Sequence, residues 1–594
     1  MARSPITSTS APVLTPRRWW RGMAVPFGAG LSHSALLLAV FDPIGLWPLA
    51  LIAIAPLAWA ASRPRPEGMS PLAEFAALWL GAMPFFLLQQ AWVIDVSVAG
   101  YPFMAAYLSL YAPTAVVIMR RTQAVLPPWA VGISHGMLWT ALEVFRGDVA
   151  FKGYAWFNVA HPIAESPALA AAAAVTGVYG ITLLVSIIGG SAGVCLARGD
   201  RAANTAVAAA AAVAWGVLAV SGWKATPEPD PRREAFIRVG IVQTNLPQSN
   251  KVSPDLDTTL DLWRDLERYT LAAASSTPAP DLIVWPETMK PGMALDQHSV
   301  EAERRAGVAL FPADPGSSRP PIATADFADA TIELQRRTGI PLLVGEDAYD
   351  DLKIIPGPSG RLEVSYARRF NSAFLITQGQ VRRERYDKVR LTPFGEEMPY
   401  ISLWPALQSR LLDLAASGMR LDLSSGSELT VFRVPIAGGR QVRIVTPICF
   451  EATESDLCRR MVHDGSTRRA DLMVNMTNDG WFGWWRAGRR QHLLLARWRC
   501  IELATPMVRA ANTGISCSID ARGRVRPIAI GANATDWNAA GLLLADISMP
   551  VSVTPMARGG WVLGWVCLVA GSLQVAFLLI PRPVSNRTRT GNLA

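Results

Sequence analysis

The sequence predicts a multi-pass α-helical membrane domain joined to a separate α/β domain. Three observations predict this combination. Apolar residues make up 51% of the chain and charged residues only 17%, against roughly 25% charged residues in soluble domains. The apolar residues are concentrated in long runs between residues 24 and 222, and again between 561 and 580. Between these regions, short Val/Ile/Leu runs alternate with amphipathic stretches over residues 224–558, which is typical of α/β folds.

Eight apolar runs are candidates for membrane-spanning helices, because a bilayer core needs about 20 apolar residues per helix. The first two are short and separated only by the sequence FDPIG, so they also fit a helical hairpin that does not span fully. Any single run also fits a buried core helix, but eight in one chain favour membrane embedding. The runs are residues 24–40, 45–61, 72–94, 103–119, 125–145, 167–197, 203–222 and 560–580.

Basic residues in the short loops predict the orientation, because Lys and Arg accumulate on the cytoplasmic side. Arginines precede the first run and lie in alternate loops, whereas the intervening loops are poor in them except for Arg146 and Lys152. Seven spans then put residues 224–558 outside the cytoplasm, and the eighth returns the chain. No small-residue cleavage site follows the first run, which predicts a retained anchor. The arginines are Arg17, Arg18, Arg21, Arg63, Arg65, Arg120, Arg121, Arg198, Arg201, Arg582, Arg587 and Arg589.

These patterns divide the chain into five regions. The net charge of +9 comes largely from the arginines of the short loops, so it does not indicate a nucleic-acid partner. The six cysteines include no CxxC pair and no Cys/His cluster, so the sequence predicts neither a metal site nor another cofactor. The regions are a cytoplasmic N-terminal segment (1–23), a seven-helix membrane domain (24–223), a periplasmic α/β domain (224–558), a C-terminal transmembrane helix (559–581) and a cytoplasmic tail (582–594).

Short apolar runs in the α/β segment have the length of strands. Near-continuous Val, Ile and Leu runs predict strands that are covered on both faces. Helical stretches such as TTLDLWRDLERYTLAAA and QHLLLARWRCIELA lie between them, so helices are expected to cover the sheets. The runs are IRVGIVQ (237–243), DLIVWPE (281–287), IPLLVGE (340–346), NSAFLIT (371–377), VRIVTPI (442–448) and DLMVNMT (471–477), followed by PMVRAAN and ISCSID.

Three strand ends or loops carry residues that suit covalent catalysis. Glu287 ends LIVWPE, Lys388 lies eight residues before Glu396 in RERYDKVRLTPFGEEMPY, and Cys449 follows VRIVTPI. A thiol at its free pKa is mostly protonated, and it needs a base or a nearby positive charge to become a nucleophile. A carboxylate can take the proton, and an ammonium can stabilise the thiolate and an oxyanion. Taken singly, each residue also fits a plain role: a buried cysteine, a surface lysine, an exposed carboxylate.

The ordered set with its surroundings resembles the nitrilase superfamily of Glu-Lys-Cys enzymes. The matching motifs are WPE at a strand end, Y-x-K-x-x-L-x-P-F-G-E, and a strand that ends in P-I-C-F-E. The helix arrangement and four further segments are similar to the apolipoprotein N-acyltransferases, the membrane-embedded branch of that superfamily. The resemblance implies a nitrilase-like αββα sandwich for the extracytoplasmic domain, with Cys449 exposed at a strand-to-helix turn. The four segments are LWTALEVFRG (138–147), TGVYGITLL (176–184), NMTNDGWFG (475–483) and RAANTGIS (509–516).

The resemblance also implies a ping-pong acyl transfer at the outer face of the bacterial cytoplasmic membrane. Glu287 would take the Cys449 proton, and the thiolate would attack an acyl ester of a phospholipid. Lys388 and a backbone N–H would hold the oxyanion. The free α-amino group of a diacylglyceryl-cysteine at an apolipoprotein N-terminus would then accept the acyl chain from the thioester. Glu396 and Glu451 would orient Lys388 or support the site, and no cofactor is implied.

The chain departs from the family pattern at three places. Phe450 stands where the family usually has tyrosine, which removes a hydroxyl. The stretch between Glu287 and Lys388 is longer than expected and contains residues 311–327, interpreted as an inserted loop. The segment YAWFNVAHPIAESPAL (154–169) also lacks the expected pattern. These departures bear on substrate detail more than on the reaction.

The segment WFGWWRAGRR (481–490) concentrates aromatic and basic residues. Tryptophan is enriched at membrane–water interfaces because its ring is apolar with a polar edge. Two interpretations fit: an arm that dips into lipid and admits an acyl chain, or packing beneath the domain against the membrane helices. The lipid-contact candidates are Trp481, Phe482, Trp484 and Trp485, accompanied by Arg486, Arg489 and Arg490.

Two other functions fit parts of the pattern. A membrane-tethered amidase of the nitrilase type would use the same residues on a small soluble amide, with water as the acceptor. However, a tether needs only one helix. A non-catalytic membrane assembly or secretion protein that kept the fold is the second alternative, and the intact set of Glu287, Lys388 and Cys449 disfavours it.

Overall fold

A computed structural model gives the structure of most of the chain. The predicted cytoplasmic tail and most of the predicted N-terminal segment lie outside the described residues. Within the predicted inserted loop 311–327, residues 313–319 also lie outside them. The described residues are 16–198, 201–226, 228, 236–247, 255–312, 320–356, 362–404, 406, 408, 410, 423–436, 439–528, 538–549 and 552–578.

The first part of the chain, up to residue 226, is helical. A 3₁₀ segment, Trp47–Ile52, leads into the second helix, and a π-helical turn, Phe145–Val149, ends the sixth. The helices are α1 (Pro16–Val40), α2 (Ala55–Ser62), α3 (Pro71–Gln89), α4 (Gly100–Ser109), α5 (Tyr111–Thr122), α6 (Pro128–Val144), α7 (Pro167–Ala170), α8 (Ala173–Ala197) and α9 (Arg201–Ala225).

Six helical segments within the described residues are long and apolar enough to cross a membrane, against the eight that the sequence predicts. The predicted run 45–61 is only a short apolar helix, Trp47–Ser62. The second predicted run that is not among the six is 125–145. It forms α6, which has 17 residues and carries the buried polar side chains His135 and Glu143. The six are Gly22–Val40, Pro71–Gln89, Gly100–Thr122, Ala173–Ala197, Arg201–Ala225 and Met556–Phe577.

The helical region has two different ends. At one end, Glu74 accepts hydrogen bonds from Arg120 at 2.7 Å and from Arg65 at 2.9 Å, so the loops after α2 and α5 lie together. At the other end, the loop after α6 contacts the α/β domain, where Trp156 packs against Phe482. Arginines from the loops predicted to be cytoplasmic therefore lie at the end away from the α/β domain.

Two six-stranded sheets form the centre of the α/β domain. The strands are β1 (Phe236–Gln243), β2 (Leu282–Val284), β3 (Ala309–Phe311), β4 (Ile322–Ala323), β5 (Leu342–Asp350), β6 (Lys353–Pro356), β7 (Leu362–Ser365), β8 (Arg368–Thr377), β9 (Gln380–Asp387), β10 (Phe432–Pro435), β11 (Gln441–Val445), β12 (His463–Asp464), β13 (Thr467–Arg468), β14 (Leu472–Thr477), β15 (Met507–Ala511), β16 (Cys517–Ile519), β17 (Val525–Ile528) and β18 (Gly541–Ser548). The helices that follow α9 are α10 (Leu256–Ala274), α11 (Gln297–Ala306), α12 (Thr324–Thr338), α13 (Ser455–Val462), α14 (Arg486–Leu503) and α15 (Val562–Leu578).

Each sheet has parallel strands at its centre. The first has the order β18–β1–β2–β5–β8–β9 and the second the order β10–β11–β14–β15–β16–β17. Strands β1, β2 and β5 are parallel, as are β11, β14 and β15, and antiparallel strands flank both groups. The carboxyl ends of neighbouring parallel strands meet at one edge of a sheet, which is where α/β proteins build their sites.

The two sheets face each other, and helices cover their outer faces. Alternate residues of β1, Ile237 and Val239, share one buried cluster with Ile444 of β11 and Val474 of β14. The opposite face of the first sheet packs against α10, α11 and α12. Alternation is expected for strands with two covered faces, because successive side chains point to opposite sides. The predicted αββα sandwich and the helical membrane domain are confirmed.

Helix α14 lies between the second sheet and the membrane domain. Its residues Ala496 and Cys500 belong to the core of the sandwich, whereas Leu495 and Trp498 pack with the membrane helices. The Trp498 indole N–H also donates to the His161 carbonyl at 3.0 Å. This helix therefore ties the α/β domain to the loop that follows α6.

A carboxylate of α14 completes a broken membrane helix. Gly177, within α8, has a non-helical conformation with φ 69° and ψ 174°, so the N–H of Val178 lacks the partner that a continuous helix supplies. Glu502 Oε1 accepts that N–H at 2.8 Å. Its other oxygen accepts the Ser455 hydroxyl at 2.9 Å and lies 3.0 Å from Arg499. The two domains thus share a buried polar contact.

Candidate active site

Cys449 lies where β11 gives way to a 3₁₀ turn, Cys449–Thr453. Its φ of 50° is in the left-handed region, which is costly for a residue with a Cβ and is found where the surrounding structure enforces it. Cys449 is partly exposed, whereas Cys458, Cys500 and Cys517 are buried. The strained turn therefore presents one thiol at the end of the second sheet.

Lys388 follows β9, and its side chain is fully buried. Its ammonium lies 2.7 Å from Glu396 Oε2 and 3.6 Å from Glu287 Oε1. Burial opposes the positive charge, but Glu396 and Glu287 outweigh it and raise the pKa of Lys388 above its usual value. Lys388 is therefore a fixed positive charge between two carboxylates.

Glu287 follows β2 and is held from two sides. Its Oε1 accepts the Asn371 side-chain N–H at 2.6 Å, and its Oε2 accepts the Asn478 backbone N–H at 2.7 Å. Asn371 belongs to β8 of the same sheet, whereas Asn478 follows β14 of the facing sheet. The carboxylate consequently bridges the ends of the two sheets beside the Lys388 ammonium.

Glu396 lies in the loop after Lys388 and is the closer of the two carboxylates. Its Oε2 accepts the Thr392 backbone N–H at 2.8 Å. Burial opposes its ionisation, but the Lys388 ammonium holds the pKa of Glu396 below its usual value. Glu396 is therefore an ionised partner that balances the charge of the lysine.

The Cys449 thiol responds to both charges of the cluster. Burial and the negative charge of Glu287 raise the pKa of Cys449 to about 12, although the Lys388 ammonium acts in the opposite direction. The resting residue is a neutral thiol at physiological pH. A nucleophilic thiol would have to lose this proton during the reaction, and the Glu287 carboxylate is near enough for its charge to act on the thiol.

Glu451 lies behind the Cys449 turn and joins it to the Lys388 segment. Burial raises the pKa of Glu451 to about 7. Phe450, between the two, is buried at 5% exposure, so its ring packs inward. The donors to the Glu451 carboxylate are the Tyr386 hydroxyl and the backbone N–H groups of Val389, Arg390 and Ile448, each at 2.8 Å.

The four aromatic candidates fall into two groups. Phe482 is 6% exposed and packs against Trp156 of the membrane domain, which matches the interpretation of packing beneath the domain. Trp484 is 83% exposed and Trp485 42% exposed, and Trp481 is half-buried. The segment therefore has a buried anchor and an exposed tip.

Several buried polar residues around Cys449 were not predicted from the sequence. Three of them lie in motifs that carried the family resemblance, NMTNDGWFG and RAANTGIS, but the motifs alone assign them no role. Asn371 and His492 had no signal beyond being polar residues in apolar surroundings. The five are Asn371, Asn475, Asp479, His492 and Arg509.

Comparisons with known proteins show the family to which the chain belongs. Residues 33–191 match the family model described as the apolipoprotein N-acyltransferase N-terminal domain, and residues 238–553 match the model described as carbon-nitrogen hydrolase. The apolipoprotein N-acyltransferase of Bordetella bronchiseptica is 30% identical over 586 residues, which covers 91% of this chain and 94% of that protein. The chain belongs to the apolipoprotein N-acyltransferase family.

Other apolipoprotein N-acyltransferases are similar over much of the chain. That of Geobacter metallireducens is 28% identical, covering 92% of this chain and 94% of that protein. That of Rhizobium meliloti is 32% identical over 75% of this chain and 72% of that protein. Among solved structures, an amidase from Nesterenkonia with an acetamide moiety covalently added at its active-site cysteine is 16% identical, with a TM-score of 0.32, covering 55% of this chain and 93% of that chain.

Membership of this family makes the protein a bacterial membrane acyltransferase of lipoprotein maturation. The match to the N-terminal domain model spans most of the membrane helices, which a singly tethered amidase does not need. An apolipoprotein N-acyltransferase is therefore favoured over both alternatives, the tethered amidase and the non-catalytic assembly protein.

Proposed function

We propose that this protein transfers a fatty acyl chain from a membrane phospholipid to the free α-amino group of the N-terminal diacylglyceryl-cysteine of apolipoproteins. The acyl chain would be carried as a thioester on Cys449. One observation carries the proposal. Glu287 and Lys388 meet at the end of the sandwich where the strained Cys449 turn also lies.

In the first half-reaction, Glu287 takes the proton of the neutral Cys449 thiol as sulfur attacks the ester carbonyl of the phospholipid. The negative charge that develops on the carbonyl oxygen is stabilised by the Lys388 ammonium and by a backbone N–H. The tetrahedral intermediate then expels the glycerol oxygen, which takes the proton from Glu287. A lysophospholipid leaves, and the thioester remains on the enzyme.

In the second half-reaction, the amine of the apolipoprotein attacks the thioester carbonyl. Glu287 accepts a proton from the attacking nitrogen, the intermediate expels the Cys449 thiolate, and the proton returns to sulfur. The product is an amide, and the enzyme regains its starting protonation state. The same base serves both halves because each consumes and returns one proton.

Three residues would support the reaction. Glu396 would balance most of the Lys388 charge, because it makes the closer contact with the ammonium. Glu451 would hold the Cys449 turn against the backbone next to Lys388. Phe450, which lacks the tyrosine hydroxyl, would contribute its backbone N–H to the oxyanion.

The α/β domain, residues 224–558, would face the periplasm across the bacterial inner membrane. The end of the helical region away from this domain holds Arg65 and Arg120, and basic loops mark the cytoplasmic side. Residues 24–223 and 559–581 would form the membrane part, with residues 1–23 and 582–594 in the cytoplasm.

The exposed tip of the 481–490 segment would contact lipid. Trp484 and Trp485 are exposed, and indole rings favour the membrane interface. Trp481 would lie at the edge of this contact, and Phe482 would anchor the tip from beneath rather than touch the donor lipid. The donor would therefore enter near the contact between the two domains.

Mass spectrometry of a lipoprotein N-terminus tests the proposed function. Made with the protein, the N-terminal cysteine should carry one more fatty acyl chain than the diacylated form. Made without the protein, or with a Cys449→Ser variant at equal abundance, it should keep a free amine. A triacylated lipoprotein that forms equally well in all three cases would refute the proposal.

A further inference from the structure

His492 of α14 holds the backbone of the candidate nucleophile. Its Nε2 lies 3.2 Å from the Cys449 carbonyl oxygen. The Asn475 side-chain N–H donates to the same oxygen, also at 3.2 Å. Two side chains, from α14 and β14, therefore fix one carbonyl at the strained turn.

The contacts of the ring define which nitrogen carries the proton. A carbonyl oxygen only accepts hydrogen bonds, so Nε2 must bear a hydrogen to bind Cys449. Nδ1 lies 3.1 Å from Arg509 Nη2 and 3.0 Å from Asp479 Oδ1. Burial and the Arg509 charge lower the pKa of His492, which favours the neutral ring with Nδ1 accepting from Arg509. Nε2 is the donor in the neutral and in the charged state alike.

The imidazole is held rigidly in this orientation. Asp479 and Arg509 are fully buried and form an ion pair at 2.6 Å, which fixes the Nδ1 side. The ring of Trp156 stacks on one face at 6.0 Å between centroids, and Phe482 contacts it edge-on at 5.9 Å. The ring therefore cannot rotate without breaking contacts in both domains.

Fixing the carbonyl also fixes the next N–H. In a trans peptide the C=O and N–H groups point in opposite directions. Because the Cys449 carbonyl is drawn toward α14 and β14, the N–H of Phe450 points away from them. A backbone at φ 50° lies in a sparsely populated conformation, so this peptide needs outside contacts to stay in place.

We infer that His492, oriented by Arg509 that Asp479 holds in place, is a positioning residue that sets the 449–450 peptide so that the Phe450 N–H donates to the oxyanion. This inference rests on the proposed function, since an oxyanion forms only if Cys449 attacks a carbonyl. This role differs from that of a base. His492 takes no proton from the Cys449 thiol, and its Nε2–H already donates to the Cys449 carbonyl.

Two reactions of the same thiol test the inference. Acylation of Cys449 by phospholipid develops an oxyanion, whereas alkylation by iodoacetamide displaces iodide and develops none. His492→Leu should slow single-turnover acylation about 10- to 100-fold, since one oxyanion donor is worth about 10²–10³ in rate and the loss here is of its alignment. Alkylation should stay within about threefold of the wild type. His492→Gln keeps a side-chain N–H donor and should recover most of the acylation rate.

The outcomes separate this inference from the proposed function. If the wild type takes up no acyl group on Cys449, the proposed function fails. If the wild type is acylated, the inference alone fails in three cases: His492→Leu acylates at the wild-type rate, its alkylation falls in parallel with acylation, or His492→Gln is as slow as His492→Leu. If His492→Leu is not folded, as judged by thermal unfolding, Asn475→Ala removes the other donor to the same carbonyl and should give the same split between the two reactions.

Discussion

The Lys388 ammonium lies 2.7 Å from Glu396 Oε2, closer than any other carboxylate oxygen with which the structure pairs it. The lysine is fully buried, and Glu396 is only 15% exposed, so each charge depends on the other. Glu287, at 3.6 Å from the same ammonium, makes the longer of the two contacts. Glu287, the proposed base, therefore shares the lysine charge with Glu396.

Replacing Glu396 by Gln should impair the base rather than the nucleophile. Lys388 would then be left with Glu287 as its remaining carboxylate partner, and a tighter ion pair between the two would oppose proton transfer to Glu287. We expect single-turnover acylation of Cys449 to fall about 10- to 100-fold, a part of the 10²–10⁴ that a positioned acid–base group typically contributes. The neighbouring Glu397, which pairs with Lys152 rather than with Lys388, provides the control. Glu397→Gln should stay within about twofold, because its partner Lys152 is 44% exposed and such pairs contribute little. Equal rates for the two variants would contradict the assignment.

Glu287 and Lys388 should shift the titration of the Cys449 thiol in opposite directions. The Glu287 charge raises the pKa of Cys449 and the Lys388 charge lowers it. Alkylation of the thiol should therefore begin at lower pH in Glu287→Gln and at higher pH in Lys388→Ala. Both variants should nevertheless lose acyl transfer by about 10²–10³ or more. The measurement is the alkylation rate against pH, and shifts of the same sign in both variants would rule out the arrangement.

Cys449 should accumulate a long-chain acyl group when phospholipid is supplied without an acceptor, because covalent catalysis has two separable steps. A diacylated lipopeptide with a free amine should discharge it, and the N-acetylated lipopeptide should not. Intact-protein and peptide mass spectrometry locates the adduct. Cys458→Ala, Cys500→Ala and Cys517→Ala serve as controls, since those thiols are buried. An adduct on any of these three, with Cys449 unmodified, would overturn the mechanism.

Labelling of single introduced cysteines tests the orientation. Asp257 on α10 and Ala202 on α9 are both exposed. In intact cells whose outer membrane is made permeable, a membrane-impermeant maleimide should label cysteine at position 257 and not at position 202. This expectation rests on the arginines at the end of the helical region opposite the α/β domain, because basic loops mark the cytoplasmic side. Labelling at position 202 alone would place the α/β domain in the cytoplasm and remove its proposed substrates.

Glu454 should make the stability of the protein depend on pH. Its carboxylate is 11% exposed, with Arg390 at 3.6 Å, and burial raises the pKa of Glu454 to about 8 despite that charge. A carboxyl whose pKa is higher in the folded than in the unfolded protein contributes its full stabilisation below the unfolded-state pKa. That contribution is lost as the pH rises toward the folded-state pKa. Between about pH 5 and 8 the loss is at most about 1.4 kcal/mol per pH unit. The thermal unfolding temperature of Glu454→Gln should therefore fall less between pH 5 and 8 than that of the wild type. Equal pH slopes for the two proteins would show that Glu454 does not cause the loss of stability.

The strands that the local sequence predicts correctly are those with both faces buried. IRVGIVQ and DLMVNMT predict β1 and β14, because both faces of these strands are buried. The edge strand β9, QVRRERYD, was not predicted, because its mostly exposed charged side chains carry no apolar pattern. Run 45–61 is shorter as a helix than predicted, because the chain changes from 3₁₀ to α-helix within it.

The candidate site divides in the same way. Glu287, Lys388 and Cys449 lie in motifs, so the family resemblance identified them. His492 contacts Cys449 from 43 positions away, and its role depends on α14 lying beneath the turn, which no local pattern specifies. The sequence places Phe482 among the lipid-contact candidates, because an aromatic residue beside tryptophans fits a lipid-facing position and a buried one equally well. In the structure Phe482 packs on Trp156.

The bond between Glu502 and the N–H of Val178 spans 324 positions of the chain, and this has a consequence for biogenesis. During synthesis α8 is made long before Glu502 exists, and an unsatisfied backbone group is costly away from water. The N–H of Val178 therefore has to wait for this partner until helix α14 of the α/β domain has been made and has folded against the membrane bundle. A chain that ends before residue 502 has no Glu502 carboxylate to offer this N–H, so the membrane bundle reaches its final set of hydrogen bonds only when the α/β domain is complete.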